Sequence, residues 1–181
     1  MLSILIFLLL LWHFYIGYNR GVLLQAFYFI GSLISLLIAS RYYDNWAHKI
    51  ALWIPYSNPA EGVSIYFFKD LNIFHLDHVY YAGIAFFAIF SLSYAIFRLI
   101  GVLVHFLPIN YFDDWYYHLA GGLMAVCVTI IFLAMGVSIL ATVPMPMVQE
   151  QLHQHLITRL LIEHCPPITQ LIKHFWVNKM I

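Results

Sequence analysis

The stretch MLSILIFLLLLWHFYI-GYNRG-VLLQAFYFIGSLISLLIA, residues 1–39, decides the fold class of this 181-residue chain. It contains two almost unbroken apolar runs, Met1–Ile16 and Val22–Ala39, joined by only five residues. A bilayer core about 30 Å thick requires roughly 20 apolar residues per helix. The second run is long enough. The first run is long enough when Gly17 and Tyr18 of the joint are counted with it. We therefore expect two transmembrane helices that stand antiparallel and side by side, with Gly17–Gly21 as the turn.

The rest of the chain has the same apolar character. It is 64% hydrophobic and only 9% charged, whereas soluble domains carry about 25% charged residues. Two further apolar runs, Val79–Val104 and Leu119–Val143, follow, and the second stops at Pro144. Because backbone polar groups in hydrocarbon must be satisfied within the segment, each run is expected to be a helix. The sequence predicts an all-α membrane protein with four transmembrane helices in a bundle.

Short amphipathic helices at the membrane surface are expected to complete the fold. The segment Arg41–His78 mixes polar residues with many aromatic ones, which suits a position along the headgroups. In the tail, apolar residues recur on one helical face and again after a proline pair; they are Val148, Leu152, Leu156, Leu160 and Leu161, then Ile168, Leu171, Ile172, Phe175 and Trp176. We expect a transmembrane domain over residues 1–143 and an amphipathic tail over 144–181.

The charges point to the lipid bilayer as the main partner. Eight basic and eight acidic residues cancel, so there is no basic surface for nucleic acid. Met1–Leu11 has no Lys or Arg, and no small-residue cleavage site follows, which favours a retained first helix over a cleaved signal. The distribution of Lys and Arg between the two sides leaves the orientation open.

Small residues four positions apart are candidates for helix packing. The pairs are Gly17 with Gly21, Gly31 with Ser35, and Gly121 with Ala125. Such spacing lets helix backbones approach closely in lipid. The pairs can serve packing within one bundle or form a homodimer face, and four helices already offer internal partners, which favours the first. Gly21 can instead simply serve the turn.

Two titratable residues inside the apolar runs are candidates for a pathway or an ion pair. Arg98 interrupts the third run, and a charge in hydrocarbon by default marks a pathway or a partner. Arg98 can also reach the headgroups with its long side chain, and Asp113 or Asp114 in the following loop can supply an acid. His13 lies in the first helix, either as a satisfied histidine or as a group that titrates near neutrality.

The sequence shows no pattern that indicates catalysis, a metal or a cofactor. The histidines and the nearby cysteine and aspartate match no zinc motif; they are His75, Asp77, His78, His153, His155, His164, Cys165 and His174. They are expected at the lipid headgroups. Asp113 and Asp114 are adjacent and cannot form a facing dyad, and no nucleophile or phosphate-loop motif occurs. A disulfide between Cys127 and Cys165 is not expected either.

Several short motifs resemble the colicin V production protein (CvpA) family. The turn Gly17-Tyr18-Asn19-Arg20-Gly21 is similar to the family's G-x-x-R-G turn, in which Gly17, Arg20 and Gly21 match. It is followed by Gln25, Gly31, Ala39 and Tyr42-Tyr43, and the entry to the fourth helix is similar at Asn110 and at Leu119 to Ala125. The chain departs from the family at Ala125, where a glycine is usual, and in lacking an aspartate near the start of the first helix.

The resemblance, which covers residues 1–143, implies a non-enzymatic multi-pass protein of the bacterial cytoplasmic (inner) membrane. It implies a role in toxin (bacteriocin) production or export and in envelope homeostasis, through protein partners or a homo-oligomer. Relatives that carry an extracytoplasmic protease domain imply a C-terminus outside. The alternative function is an oligomeric channel or transporter for ions or small solutes, with Arg98 and His13 facing the pore.

Overall fold

The computed structural model describes residues 2–56, 65–67, 76–105, 114–165 and 168–178. Its long helices are α1 (Leu2–Arg20), α2 (Val22–Ile50), α3 (Leu76–His105) and α4 (Trp115–Ala141). All four are long and apolar enough to cross a membrane. The described ranges contain no strand. The predicted all-α membrane protein with four transmembrane helices in a bundle is therefore confirmed.

The joint between the first two helices is a single residue. α1 continues through Arg20, and α2 begins at Val22. Gly21 alone reverses the chain, with φ +78°, a region that only glycine adopts at little cost. The prediction of a five-residue turn was wrong, because residues 17–20 remain helical and extend the apolar run to membrane-spanning length.

The pairing of the helices also differs from the expected hairpin. α1 packs chiefly against α4, and α2 packs chiefly against α3, while α1 and α2 touch each other little. The reason lies in the small residues of α1 and α4. A Cβ added to Gly17 would lie 2.5 Å from the Cβ of Ala125 and 2.7 Å from the carbonyl oxygen of Gly121. Two backbones approach this closely only where side chains are absent, so α1 selects α4 as its neighbour.

The second helix is longer than its apolar run. α2 extends over 29 residues to Ile50, about 43 Å at 1.5 Å per residue. The prediction of a surface segment beginning at Arg41 was therefore wrong for its first part. Ala39, Tyr43 and Ala47 recur every four positions and are at most 1% exposed, so a continuous buried stripe carries the helix beyond the hydrocarbon core. Residues 57–64 and 68–75 of that segment lie outside the described residues.

The tail forms short helices that pack against the bundle. They are α5 (Pro146–Gln154), α6 (Leu156–Glu163) and α7 (Ile168–Ile172), followed by a π-helical turn, Lys173–Asn178. Ile168, Ile172 and Trp176 are buried, and the Trp176 ring lies 6.1 Å from that of Phe86 on α3. The tail is thus anchored on the transmembrane helices by its apolar side chains.

The single apolar face predicted for residues 148–161 was wrong. Leu156 is 70% exposed, whereas Gln149 is fully buried. The backbone is extended at His155, which ends α5 and turns the following helix to present a different face. The Gln149 amide donates hydrogen bonds to the carbonyls of Ala141 (2.8 Å) and Val143 (3.0 Å). It therefore satisfies backbone acceptors at the end of α4, which is why a polar side chain is buried there.

Candidate functional site

A cavity of about 430 Å³ lies between the four transmembrane helices and is partly open. Every long helix contributes a polar side chain to its wall; these are His13, Arg20, Gln25, Tyr94, Arg98 and Thr129. The structure thus brings the two predicted pathway residues, His13 and Arg98, to one site, and adds Arg20 of the predicted turn motif.

The two arginines share one aromatic ring. The guanidinium carbon of Arg98 lies 4.7 Å from the centroid of Tyr28, and that of Arg20 lies 5.6 Å from it. A cation within about 6 Å of a ring face is attracted by the quadrupole of the ring. Tyr28 is 4% exposed and lies directly against the backbone of Gly101, where a Cβ would collide with the ring. Gly101 therefore positions the ring that holds both guanidinium groups.

No carboxylate balances these two charges within the part of the chain that the structure describes. Asp114, a predicted partner of Arg98, instead accepts a hydrogen bond from the Tyr116 hydroxyl. Asp113, the other predicted partner, lies outside the described residues. Arg98 does have Tyr94, one helical turn away on α3, as a neighbour on the cavity wall. The polar end of the cavity is consequently cationic.

Gln25 is the most deeply buried polar side chain of the cavity wall. It is 3% exposed and belongs to the lining. Its amide makes no hydrogen bond to any residue that the structure describes, in contrast to Thr129, whose hydroxyl donates to the Ala125 carbonyl at 2.8 Å. Because Gln25 lines the cavity and its amide has no partner among the described residues, the amide is free to bind a group inside the cavity.

His13 lies on the wall of the same cavity. Its Nδ1 lies 2.9 Å from the carbonyl oxygen of Leu9. Because a carbonyl oxygen only accepts, Nδ1–H donates this hydrogen bond. His13 is thus held by its own helix, as in the plainer of the two sequence interpretations, and still contributes to the wall.

The predicted packing residues lie inside the bundle. Gly17, Gly121 and Ala125 form the contact between α1 and α4 described above. Gly31 lies against Phe97 of α3, where an added Cβ would be 2.9 Å from the Phe97 Cβ. Ser35 donates to the Gly31 carbonyl at 2.7 Å. The structure therefore uses these small residues between helices of one chain, the first of the two roles considered for them.

The histidines of the tail do not assemble into a site. Among the described residues, no group of three or more histidine, cysteine, aspartate or glutamate side chains can hold a metal ion. His153 stacks on Tyr66 with ring centroids 4.3 Å apart, and His164 lies 3.9 Å from Glu163. Cys127 and Cys165 are both free thiols, and burial raises the pKa of Cys165. His75 lies outside the described residues.

Sequence reasoning did not single out four residues of the site as functional: Gln25, Tyr28, Tyr94 and Gly101. Gln25 carried a signal, since it is the sole amide in the apolar run Val22–Ala39. The other three look like ordinary apolar-helix residues, and only the packing of α2 on α3 gives them their role.

Comparison with known proteins places this bundle in a family. The family model described as colicin V production protein matches residues 2–166. The chain belongs to the colicin V production protein family. The match reaches beyond residue 143 and takes in α5 and α6 with the four transmembrane helices.

A relative of this chain is also described as a transmembrane protein. The chain is 24% identical to "Uncharacterized transmembrane protein YshB" of Bacillus subtilis over 178 residues, which cover 98% of each chain. No solved structure matches the chain. Family and relative together show a multi-pass membrane protein.

Proposed function

We propose that this chain is a non-enzymatic protein of the bacterial cytoplasmic membrane that supports production or export of a secreted peptide toxin and homeostasis of the cell envelope. The observation that carries the proposal is the family match over residues 2–166, which spans the whole transmembrane bundle. The bundle acts as a scaffold for protein partners or for further copies of the chain.

Deletion of the gene in its native host tests this proposal. Secreted toxin activity and resistance to membrane-active detergents should both fall, and a plasmid copy of the wild-type gene should restore both. Inspection of the neighbouring genes is a cheaper first step, since a bacteriocin cluster beside this gene favours the proposal. Unchanged secretion and unchanged detergent resistance in the deletion strain would contradict it.

A second candidate function is a pathway for ions or small solutes. The observation that favours it is the convergence of His13 and Arg98 on one partly open cavity between the helices. Arg98→Ala should then lower solute flux into proteoliposomes while the protein assembles normally, and Arg41→Ala, which removes an exposed arginine elsewhere on α2, should not. Unchanged flux in Arg98→Ala together with lost toxin secretion supports the scaffold instead.

The orientation proposed for the bundle places the C-terminus outside. Cys165 lies in the tail and is a free thiol, so a membrane-impermeant maleimide should label it on intact cells of a Cys127→Ser strain. Because burial raises the pKa of Cys165, the thiolate fraction is small at neutral pH, and labelling should accelerate as the pH is raised. Labelling that requires cell lysis at every pH would place the tail inside.

A further inference from the structure

The four-helix cavity has the features of a binding site whose ligand carries a negative charge. Arg20 and Arg98 both lie on its wall, approach the same ring, that of Tyr28, and have no carboxylate partner among the described residues. Positive charge within a membrane bundle is costly unless it is paired. A ligand that supplies the missing anion would remove this cost.

Gln25 points independently to a ligand in the same place. The residue is only 3% exposed, and its side chain lines the cavity without a hydrogen-bond partner in the described part of the chain. The two guanidinium groups offer planar forks of N–H donors, and the amide adds two more N–H donors. N–H donors of this kind on one cavity wall, with arginine forks among them, suit the oxygens of a phosphate group.

The cavity is polar at one end and apolar at the other. Arg98 precedes the last residue of α3, His105, by seven positions, which places it about 10 Å from that helix end. Leu9 on α1 and Phe87 on α3 continue the wall away from Arg20 and Arg98. Each lies eleven residues from the arginine on its own helix, about 16 Å along the helix axis. This gradient matches an amphipathic molecule whose phosphate sits near the headgroup level and whose hydrocarbon chain runs toward the bilayer centre.

We propose that the cavity binds the phosphate group of an anionic membrane lipid, with Arg20, Arg98 and Gln25 as the phosphate ligands. Basic pockets between transmembrane helices are known to bind lipid headgroups in this manner. Inorganic phosphate shares the chemistry of the headgroup but has no chain for the apolar end. The assignment does not depend on the proposed role in peptide production, because it concerns what the cavity holds and not the process that the protein serves.

Lipid titration of the purified, delipidated full-length protein tests the assignment. Native mass spectrometry in detergent measures the fraction of protein that carries one lipid, with phosphatidylglycerol and with diacylglycerol of the same chains. We expect saturable binding of one phosphatidylglycerol and no saturable binding of diacylglycerol. In Arg98→Gln, loss of a charged donor should weaken phosphatidylglycerol binding by about tenfold or more.

Two further variants keep the test decisive. Gln25→Leu removes only the amide and makes the cavity more apolar, so it carries the test if Arg98→Gln does not fold; it should weaken binding by about fivefold or more. Arg41→Gln removes an exposed charge outside the cavity and should bind phosphatidylglycerol as the wild type does. Equal weakening in Arg98→Gln and Arg41→Gln would show a nonspecific charge effect and overturn the site, as would saturable binding of diacylglycerol.

Inorganic phosphate forms the last arm of the experiment. If it raises the thermal unfolding midpoint of the lipid-free wild type as much as phosphatidylglycerol does, and not that of Arg98→Gln, the site binds phosphate but the lipid assignment is overturned. No response to inorganic phosphate alongside saturable phosphatidylglycerol binding supports the lipid assignment. Saturable phosphatidylglycerol binding by the purified protein, found together with unchanged toxin secretion in the deletion strain, would support this site and contradict the proposed function.

Discussion

Gly17→Ala provides a direct test of the contact between α1 and α4, because a single methyl group enters the closest approach of the two helices. The new Cβ would lie 2.5 Å from the Cβ of Ala125, 2.7 Å from the Gly121 carbonyl oxygen and 3.1 Å from the Gly122 Cα. Two of these three atoms belong to backbone, so no side-chain rotation relieves the collision. The helices must move apart along the whole contact.

The expected magnitude is a balance of two opposing effects. Replacement of a helical glycine by alanine favours the helix by about 0.5–1 kcal/mol. Overpacking of a tight contact costs about 1–3 kcal/mol, and a collision with backbone belongs at the upper end of that range. Gly17→Ala should therefore lower the free energy of unfolding by about 1–2 kcal/mol.

Gly136→Ala is the matched control, since it makes the same change inside α4 at a position with nothing within 4 Å of the added Cβ. It should leave stability unchanged or raise it by up to about 1 kcal/mol. The assay is unfolding of the purified protein in mixed micelles as the fraction of sodium dodecyl sulfate increases. Ala125→Gly, which removes the nearest Cβ, should restore part of the stability that Gly17→Ala loses, so the two effects should not add. If Gly17→Ala proves as stable as Gly136→Ala, the close contact between α1 and α4 is refuted.

Two further predictions concern the far end of the bundle. Gln149→Leu should destabilise the protein by about 1–3 kcal/mol, because the carbonyls of Ala141 and Val143 at the end of α4 lose their donor. Gln151→Leu, on the exposed face of the same helix, should change stability little. Equal unfolding midpoints in the two variants would contradict this. Burial, with the nearby charge of Asp77, raises the pKa of Tyr56 to about 12. Unfolded Tyr56 ionises near pH 10 while the folded side chain stays neutral, so stability should fall between about pH 10 and pH 12. In Tyr56→Phe that decline should be shallower, and an identical decline in both proteins would refute the shifted pKa.

The number of transmembrane helices was predictable because each apolar run is close to membrane length and must be helical in lipid. The positions of the helix ends were less accessible. Gly17 and Gly21 both look like turn residues in the sequence, yet one packs in the middle of a contact and the other alone has a positive φ. Hydropathy also stops at Ala39, although the buried spacing of Tyr43 and Ala47 continues the helix.

The partners of each helix could not be predicted from local sequence. A short joint suggests that α1 and α2 are neighbours, but the choice of neighbour depends on which surfaces fit at close range. Gly17 fits Gly121 and Ala125, which follow more than a hundred residues later. Such complementarity is a property of two distant surfaces together, and neither half of it is visible alone. The helix break at His155, after which α6 presents a different face to the bundle, could not be predicted from local sequence either.

The cavity shows which parts of a site in a membrane protein can be predicted from the sequence and which require the structure. His13, Arg20, Gln25 and Arg98 are each visible as polar exceptions in or beside apolar runs, and each is costly if it faces lipid alone. That cost predicts that such residues turn inward, because four helices offer only one shared interior. The sequence predicted that His13 and Arg98 face one pore in the alternative function, whereas the addition of Arg20 and Gln25 to that wall and the Tyr28 ring that both arginines approach required the structure. The polar exceptions of a membrane bundle are therefore best interpreted together, as candidate walls of one site.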